Sequence, residues 1–200
     1  MGSLYFYYGG MNASKTAQLV MAAHNYEEAG MRPLCLKPRL DTREGDTPMI
    51  VSRIGLKREA LWITPLDDLA YVYRSYCAHT GHHHHCILVD EAQFLTVDQV
   101  KQLASLTNDF DDLSILCYGL RTDFQGKLFP GSAELLAQAE HIGEIKGMCV
   151  NGCGKKSTHV LRYNSSGVLV KEGPQVQVGG NDAYRAVCRK CFAKALGGKP

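Results

Sequence analysis

Gly9-Gly10-Met11-Asn12-Ala13-Ser14-Lys15-Thr16 is the stretch that decides how this chain is read. Before it, Leu4–Tyr8 is an apolar and aromatic run that predicts a buried strand. After it, Leu19, Val20, Ala22, Ala23 and Tyr26 recur at helical spacing over Ala17–Ala29, and Gly30 supplies a stop. A strand, a glycine-rich turn and Lys-Thr opening a helix is the arrangement of a phosphate-binding loop. Successive backbone N–H groups and the positive helix end converge there on phosphate oxygens. In this pattern Lys15 reaches the outer phosphates and the Thr16 hydroxyl serves a magnesium ion. Ser14 stands where the G-x-x-x-x-G-K-[ST] pattern has glycine. A right-handed backbone at this position tolerates serine, and that is the expectation here; a positive φ would strain it.

Downstream, Cys86–Val89 is continuously apolar, as in a parallel strand covered on both faces, and it ends in Asp90-Glu91. Acids at the C-terminal end of a buried strand sit where open α/β sheets bind ligands. A phosphate loop calls for such an acid to complete its magnesium site. Further strands are predicted at Pro33–Leu36, Met49–Ile54, Ala60–Ile63, Leu113–Tyr118 and Ile142–Ile145. Helices are predicted from a Thr64 cap with Pro65 in the first turn, from a Thr96/Gln99 capping box, and from Ser132. Strands alternating with helices make a parallel sheet with helices on both faces. Arg43, in the polar loop Asp41–Asp46, is either a solvated charge or a phosphate clamp. His82–His85 reads as a solvated loop; such runs also bind metals.

Two hundred residues suit one large domain or a domain with an appendage, and 45% hydrophobic content supplies a core. The net charge of +2, without a dense basic stripe, argues against nucleic acid as partner. No run of about eighteen apolar residues predicts a membrane span, and no secretory signal is visible, so a cytoplasmic location is expected. Of eight cysteines, Cys35, Cys77, Cys86 and Cys117 read as small buried hydrophobes. Cys149, Cys153, Cys188 and Cys191 form C-x3-C and C-x2-C pairs, which predict a closed, structural zinc site in a reducing compartment. The alternative of two disulfides is disfavoured there. Between the pairs, Thr158–Tyr163 and Val168–Lys171 flank Asn164–Gly167 as a hairpin. Gln175–Tyr184 then reads as a long lid loop based at the zinc. The boundary falls between 1–146, a nucleotide-binding α/β unit, and 147–200, a zinc-binding unit.

Taken together, Tyr8–Thr16, Asp41-Thr42-Arg43, Ser52–Gly55, Leu88–Leu95, Cys117–Gln125, both cysteine pairs and Gly179-Gly180-Asn181 resemble the type II, zinc-containing thymidine kinases over nearly the whole chain. The resemblance implies a RecA-like core with a zinc-anchored lasso loop, a homotetramer, and transfer of the ATP γ-phosphate to the 5′-hydroxyl of thymidine, with feedback by thymidine triphosphate. Glu91 matches the catalytic base. Gly9–Thr16, Arg43, Asp90 and Gln93 match the ATP and magnesium groups. Met11, Leu120, Phe124, Phe129, Val160 and Tyr184 match residues around the thymine, and Gln175, Val176, Gln177, Val178 and Gly179 the lasso that recognises it. The first cysteine pair is one residue wider than the family's common C-x2-C. Two other classes fit the motifs singly: a RecA-like ATPase, and a non-catalytic zinc-ribbon module that binds nucleotide. Another deoxynucleoside as substrate is a third possibility.

Overall fold

The computed structural model describes residues 2–39, 48–176 and 184–197. Arg43, Gln177, Val178 and Gly179, with most of the expected lid, lie outside the described residues. In chain order the elements begin with β1 (Ser3–Gly9), α1 (Lys15–Glu28), β2 (Pro33–Pro38), β3 (Met49–Val51), β4 (Lys57–Glu59), β5 (Leu61–Ile63) and α2 (Leu69–Thr80). They continue with β6 (Cys86–Val89), α3 (Val97–Asp109), β7 (Ser114–Gly119), α4 (Pro130–Gln138) and β8 (His141–Ile145). The C-terminal portion holds β9 (Gly147–Met148), β10 (Lys156–Ser157), β11 (His159–Tyr163), β12 (Leu169–Val170), β13 (Tyr184–Val187) and α5 (Arg189–Leu196).

Six strands form one parallel sheet in the order β5-β2-β6-β7-β1-β8. Side chains alternate across a strand, so each central strand feeds two cores. Cys86 and Leu88 of β6, with Leu116 and Tyr118 of β7, pack towards Leu19 and Ala23 of α1. Ile87, Val89, Ile115 and Cys117 pack the other way, against Leu69 and Tyr73 of α2, Leu103 of α3 and Leu135 of α4. A sheet covered on both sides explains why β6 carries no polar residue. The architecture is α/β, as the alternation of elements predicted. β7 separates β1 from β6, so the phosphate-loop strand and the acidic strand reach the same sheet edge with one strand between them.

Several local expectations change. The first strand of the Met49–Ile54 segment stops at Val51, because the Ser52–Gly55 turn, with Gly55 at φ 87°, sends β4 back antiparallel to β3. Thr64 does not cap α2. The Gln99 amide donates to the Thr64 and Asp67 carbonyls, which holds residues 64–67 as a turn, and Asp68 caps instead by accepting from the Tyr71 N–H. The α3 capping box forms as expected, Thr96 with Gln99 in both directions. α4 starts at Pro130 rather than Ser132, whose hydroxyl donates to the Leu120 carbonyl at 2.6 Å. The predicted hairpin is present as β11–β12, and β13 joins it on the other side of β11. His82–His85 is not simply solvated: His84 is buried. Among the lone cysteines, Cys35, Cys86 and Cys117 are buried and Cys77 half-buried. Burial pushes the Cys35 thiol up to about 11.

Candidate active site

The site forms where β1 and β6 end. The chain leaves β1 at Gly9 and turns through Gly10–Ser14 into α1. Asn12 and Ser14 both take φ 63°. The expectation of a right-handed backbone at Ser14 is therefore corrected: this serine sits in the left-handed region that favours glycine, which is why the pattern has glycine here. The lack of a side chain at Gly10 lets the loop come close to Ser157, whose Oγ would lie 2.9 Å from a Cβ there. The loop thus lies directly against β10, and Ser157 Oγ is buried with no hydrogen-bond partner among the described residues. Nothing in the sequence singled out Ser157.

Lys15 is buried, and its ammonium donates to the Gly10 carbonyl at 2.8 Å. One residue on, Thr16 Oγ1 lies 3.4 Å from both carboxylate oxygens of Asp90. Asp90 is itself buried at the end of β6. A hydroxyl and a carboxylate facing each other beside a phosphate loop form a hard-oxygen donor pair of the kind magnesium takes.

Glu91 follows with φ 48°, a left-handed turn that starts the 3-10 helix Ala92–Phe94. Its Oε2 accepts from the Gln93 side-chain amide at 2.6 Å. Gln93 Oε1 in turn accepts from the Leu120 N–H at 2.9 Å. Gln93 is buried, so it acts as a strut between the acidic strand end and the loop after β7. The resemblance placed Gln93 among the nucleotide groups; its observed contacts are with Glu91 and Leu120. Gly119 permits the approach, since a Cβ there would lie 2.8 Å from Gln93 Oε1.

A cleft opens beside the phosphate loop, lined by Gly9, Gly10, Met11, Leu120, His159 and Val160 among others. Three predicted base-contacting residues, Met11, Leu120 and Val160, thus come together. Phe124 and Phe129, also predicted around the base, are not among its lining residues; both are buried, Phe129 edge-on against Phe94 and Phe124 under Arg162 at 4.2 Å. His159 stacks on Phe192, and its burial, with Arg121 and Arg189 nearby, holds its pKa below the ordinary range.

The start of the expected lasso is pinned. Arg162, buried, donates to the Pro174 carbonyl at 2.8 Å, and the Gln175 amide donates to Asp123 Oδ2 at 2.9 Å. Val176 is exposed next to it. Tyr184, at the other end, begins β13 opposite Arg162. Arg162 escaped sequence reasoning because an arginine inside a strand reads as surface.

The four paired cysteines converge, with sulfur atoms all within 4.8 Å of one another and none in a disulfide. Left-handed glycines, Gly152 and Gly154, turn the first pair, and Cys188 caps α5. The wider C-x3-C spacing is absorbed by this turn. The backbone N–H of Cys191 pulls the Cys188 thiol down to about 7, which favours the thiolate a metal needs. Four converging cysteine sulfurs match a closed tetrahedral zinc site.

A family model described as thymidine kinase matches residues 2–192. The chain belongs to the thymidine kinase family. A thymidine kinase of Ruegeria pomeroyi is 47% identical over 197 residues, covering 98% of this chain and 96% of that one. One of Rhodopirellula baltica is 46% identical over 196 residues, covering 98% and 90%. One of Photorhabdus laumondii is 43% identical, covering 98% and 94%. Membership makes this chain a kinase that uses ATP. No helix among the described residues is long and apolar enough to cross a membrane.

Proposed function

We propose that this chain transfers the ATP γ-phosphate to the 5′-hydroxyl of thymidine, with Glu91 as general base. The observation that carries the reading is the junction of two strand ends. Thr16 and Asp90 face each other across the phosphate loop, and Glu91 stands one residue further on, oriented by Gln93. In this reading Gly9–Ser14 present backbone N–H groups to the phosphates, and Lys15 exchanges its loop carbonyl for them. Thr16 and Asp90 are suited to hold magnesium, which neutralises charge on the β- and γ-phosphates. The 5′-oxygen forms its bond to γ-phosphorus as the bond to ADP breaks, and Glu91 takes the hydroxyl proton. The base packs among Met11, Leu120 and Val160. Gln175 and Val176 begin the lasso that closes over it, with Gln177, Val178, Gly179 and Tyr184 continuing it and Arg43 serving the phosphates.

Structural zinc at Cys149, Cys153, Cys188 and Cys191 anchors the return of that lasso. The division at 146/147, the homotetramer, feedback by thymidine triphosphate and a cytoplasmic location belong to the same reading. Family membership favours neither a RecA-like ATPase nor a non-catalytic zinc-ribbon module. ADP release with and without thymidine separates the three: strict dependence on nucleoside supports the kinase, nucleoside-independent release an ATPase, and no release a binding module.

A further inference from the structure

The histidine run lies at the edge of the sheet away from the phosphate loop. His85 directly precedes β6 and Asp112 lies two residues before β7. These strands are parallel neighbours with Cys86 opposite Ser114, so the two entry loops meet. His83, His85 and Asp112 each present a ligand atom, and these atoms lie within 4.8 Å of one another. His84 is the buried one, its Nε2 3.3 Å from Thr80 Oγ1, while His83 and His85 on either side are half-buried.

Tyr73 favours one tautomer of His83. Its hydroxyl is 2.8 Å from the His84 carbonyl and 3.3 Å from His83 Nδ1. A hydroxyl has one proton to donate. With that proton on the carbonyl, the oxygen accepts from His83 Nδ1–H. The lone pair of His83 then sits on Nε2, 3.1 Å from Asp112 Oδ1. Two acceptors this close call for a cation between them, either a metal ion or the proton of an imidazolium. Metal bonds of about 2.0–2.1 Å at a tetrahedral angle put two donor atoms about 3.3 Å apart. A hydrogen bond from the other ring nitrogen is how metal-bound histidines are held. His85 adds a third donor, and its Nδ1 is buried without a hydrogen-bond partner among the described residues.

We infer that His83, His85 and Asp112 form a second metal site, separate from the cysteines, for a borderline divalent transition ion such as Zn²⁺ or Ni²⁺. Two imidazoles and one carboxylate suit such ions, and the exposure of Asp112 leaves room for water in the remaining position. His85 and Asp90 bracket β6, five residues or roughly 16 Å of strand apart, so the ion touches no substrate. It clamps the loops entering β6 and β7.

The test uses untagged protein with its cysteine cluster first loaded with zinc, titrated with Ni²⁺ by calorimetry and followed by thermal melting. One Ni²⁺ per chain is expected to bind and to raise Tm. Asp112→Asn and His85→Gln should each weaken binding by about tenfold or more and abolish the Tm rise, while His82→Gln leaves both unchanged. Cobalt at the same site should give a visible spectrum without a thiolate charge-transfer band. Failure to bind Ni²⁺ would overturn the site and leave the His83–Asp112 contact as a proton-bridged ion pair. Equal weakening by His82→Gln and Asp112→Asn would overturn it in favour of a non-specific histidine run.

Discussion

Glu91 and Ser14 are both held in the left-handed region, at φ 48° and φ 63°. Such conformations cost about 1–3 kcal/mol for side chains other than glycine and persist where surrounding structure enforces them. At Glu91 the turn aims a carboxylate at the strand edge and the Gln93 amide secures it. Glu91→Gln keeps the shape and loses proton affinity, so kcat should fall by about 10²–10⁴ with little change in thymidine KM. Retention of most of the activity would remove Glu91 from the role of base. At Ser14 no side-chain hydrogen bond caps α1 in compensation. Ser14→Gly should therefore stabilise the protein by roughly 1 kcal/mol, read as a Tm gain of about 2–4 °C, and leave the ATP KM within a few-fold. An unchanged or lowered Tm would show that serine is unstrained there. The sequence identified the substitution; its sign depended on a dihedral angle that no residue type reveals.

At the scale of elements, the parts legible in the sequence are those governed by local signals. β6 follows from an unbroken apolar run and α3 from a capping box that closes within four residues. The start of α2 was misread because Thr64 and Asp68 both carry cap chemistry, and the choice is made by Gln99, more than thirty residues away. β13 was missed for a similar reason: its strand partner among the described residues, β11, lies well before it in the sequence, with β12 between them. The strut from Gln93 to Leu120 likewise joins residues remote in sequence. The cysteine pairs were legible because ligand spacing is local, and their convergence leads to a prediction. Purified protein should carry about one zinc per chain at these residues, and Cys188→Ser should lose it and speed proteolysis around α5. Two disulfides by mass spectrometry, with no metal, would contradict the assignment.

Over the whole molecule, the parallel sheet sorts chemistry by edge. The C-terminal ends of β1 and β6 gather Lys15, Thr16, Asp90 and Glu91, while the N-terminal ends of β6 and β7 gather His85 and Asp112. The cleft at the first edge bears on base selectivity. Thymine and uracil share the N3–H and its flanking carbonyls, so backbone contacts cannot separate them. In the proposed pocket only packing would sense the methyl, through Met11, Leu120 and Val160, which line the cleft. A single methyl discriminates by about 1–3 kcal/mol, whereas a base with the wrong donor pattern leaves buried groups unpaired at a similar cost for each. Deoxyuridine should therefore be phosphorylated more slowly than thymidine, and deoxycytidine and the purine deoxynucleosides hardly at all.

The measurement that bears most directly on all of this follows the γ-phosphate itself. The protein is incubated with γ-labelled ATP, magnesium and, separately, thymidine, deoxyuridine, deoxycytidine and deoxyadenosine, and the labelled products are resolved. Label should appear at the 5′-position of thymidine monophosphate, more slowly in deoxyuridine monophosphate, and barely in the other two. Label released as inorganic phosphate regardless of nucleoside, or transferred efficiently to deoxycytidine, would contradict both the proposed chemistry and the pocket that selects its substrate.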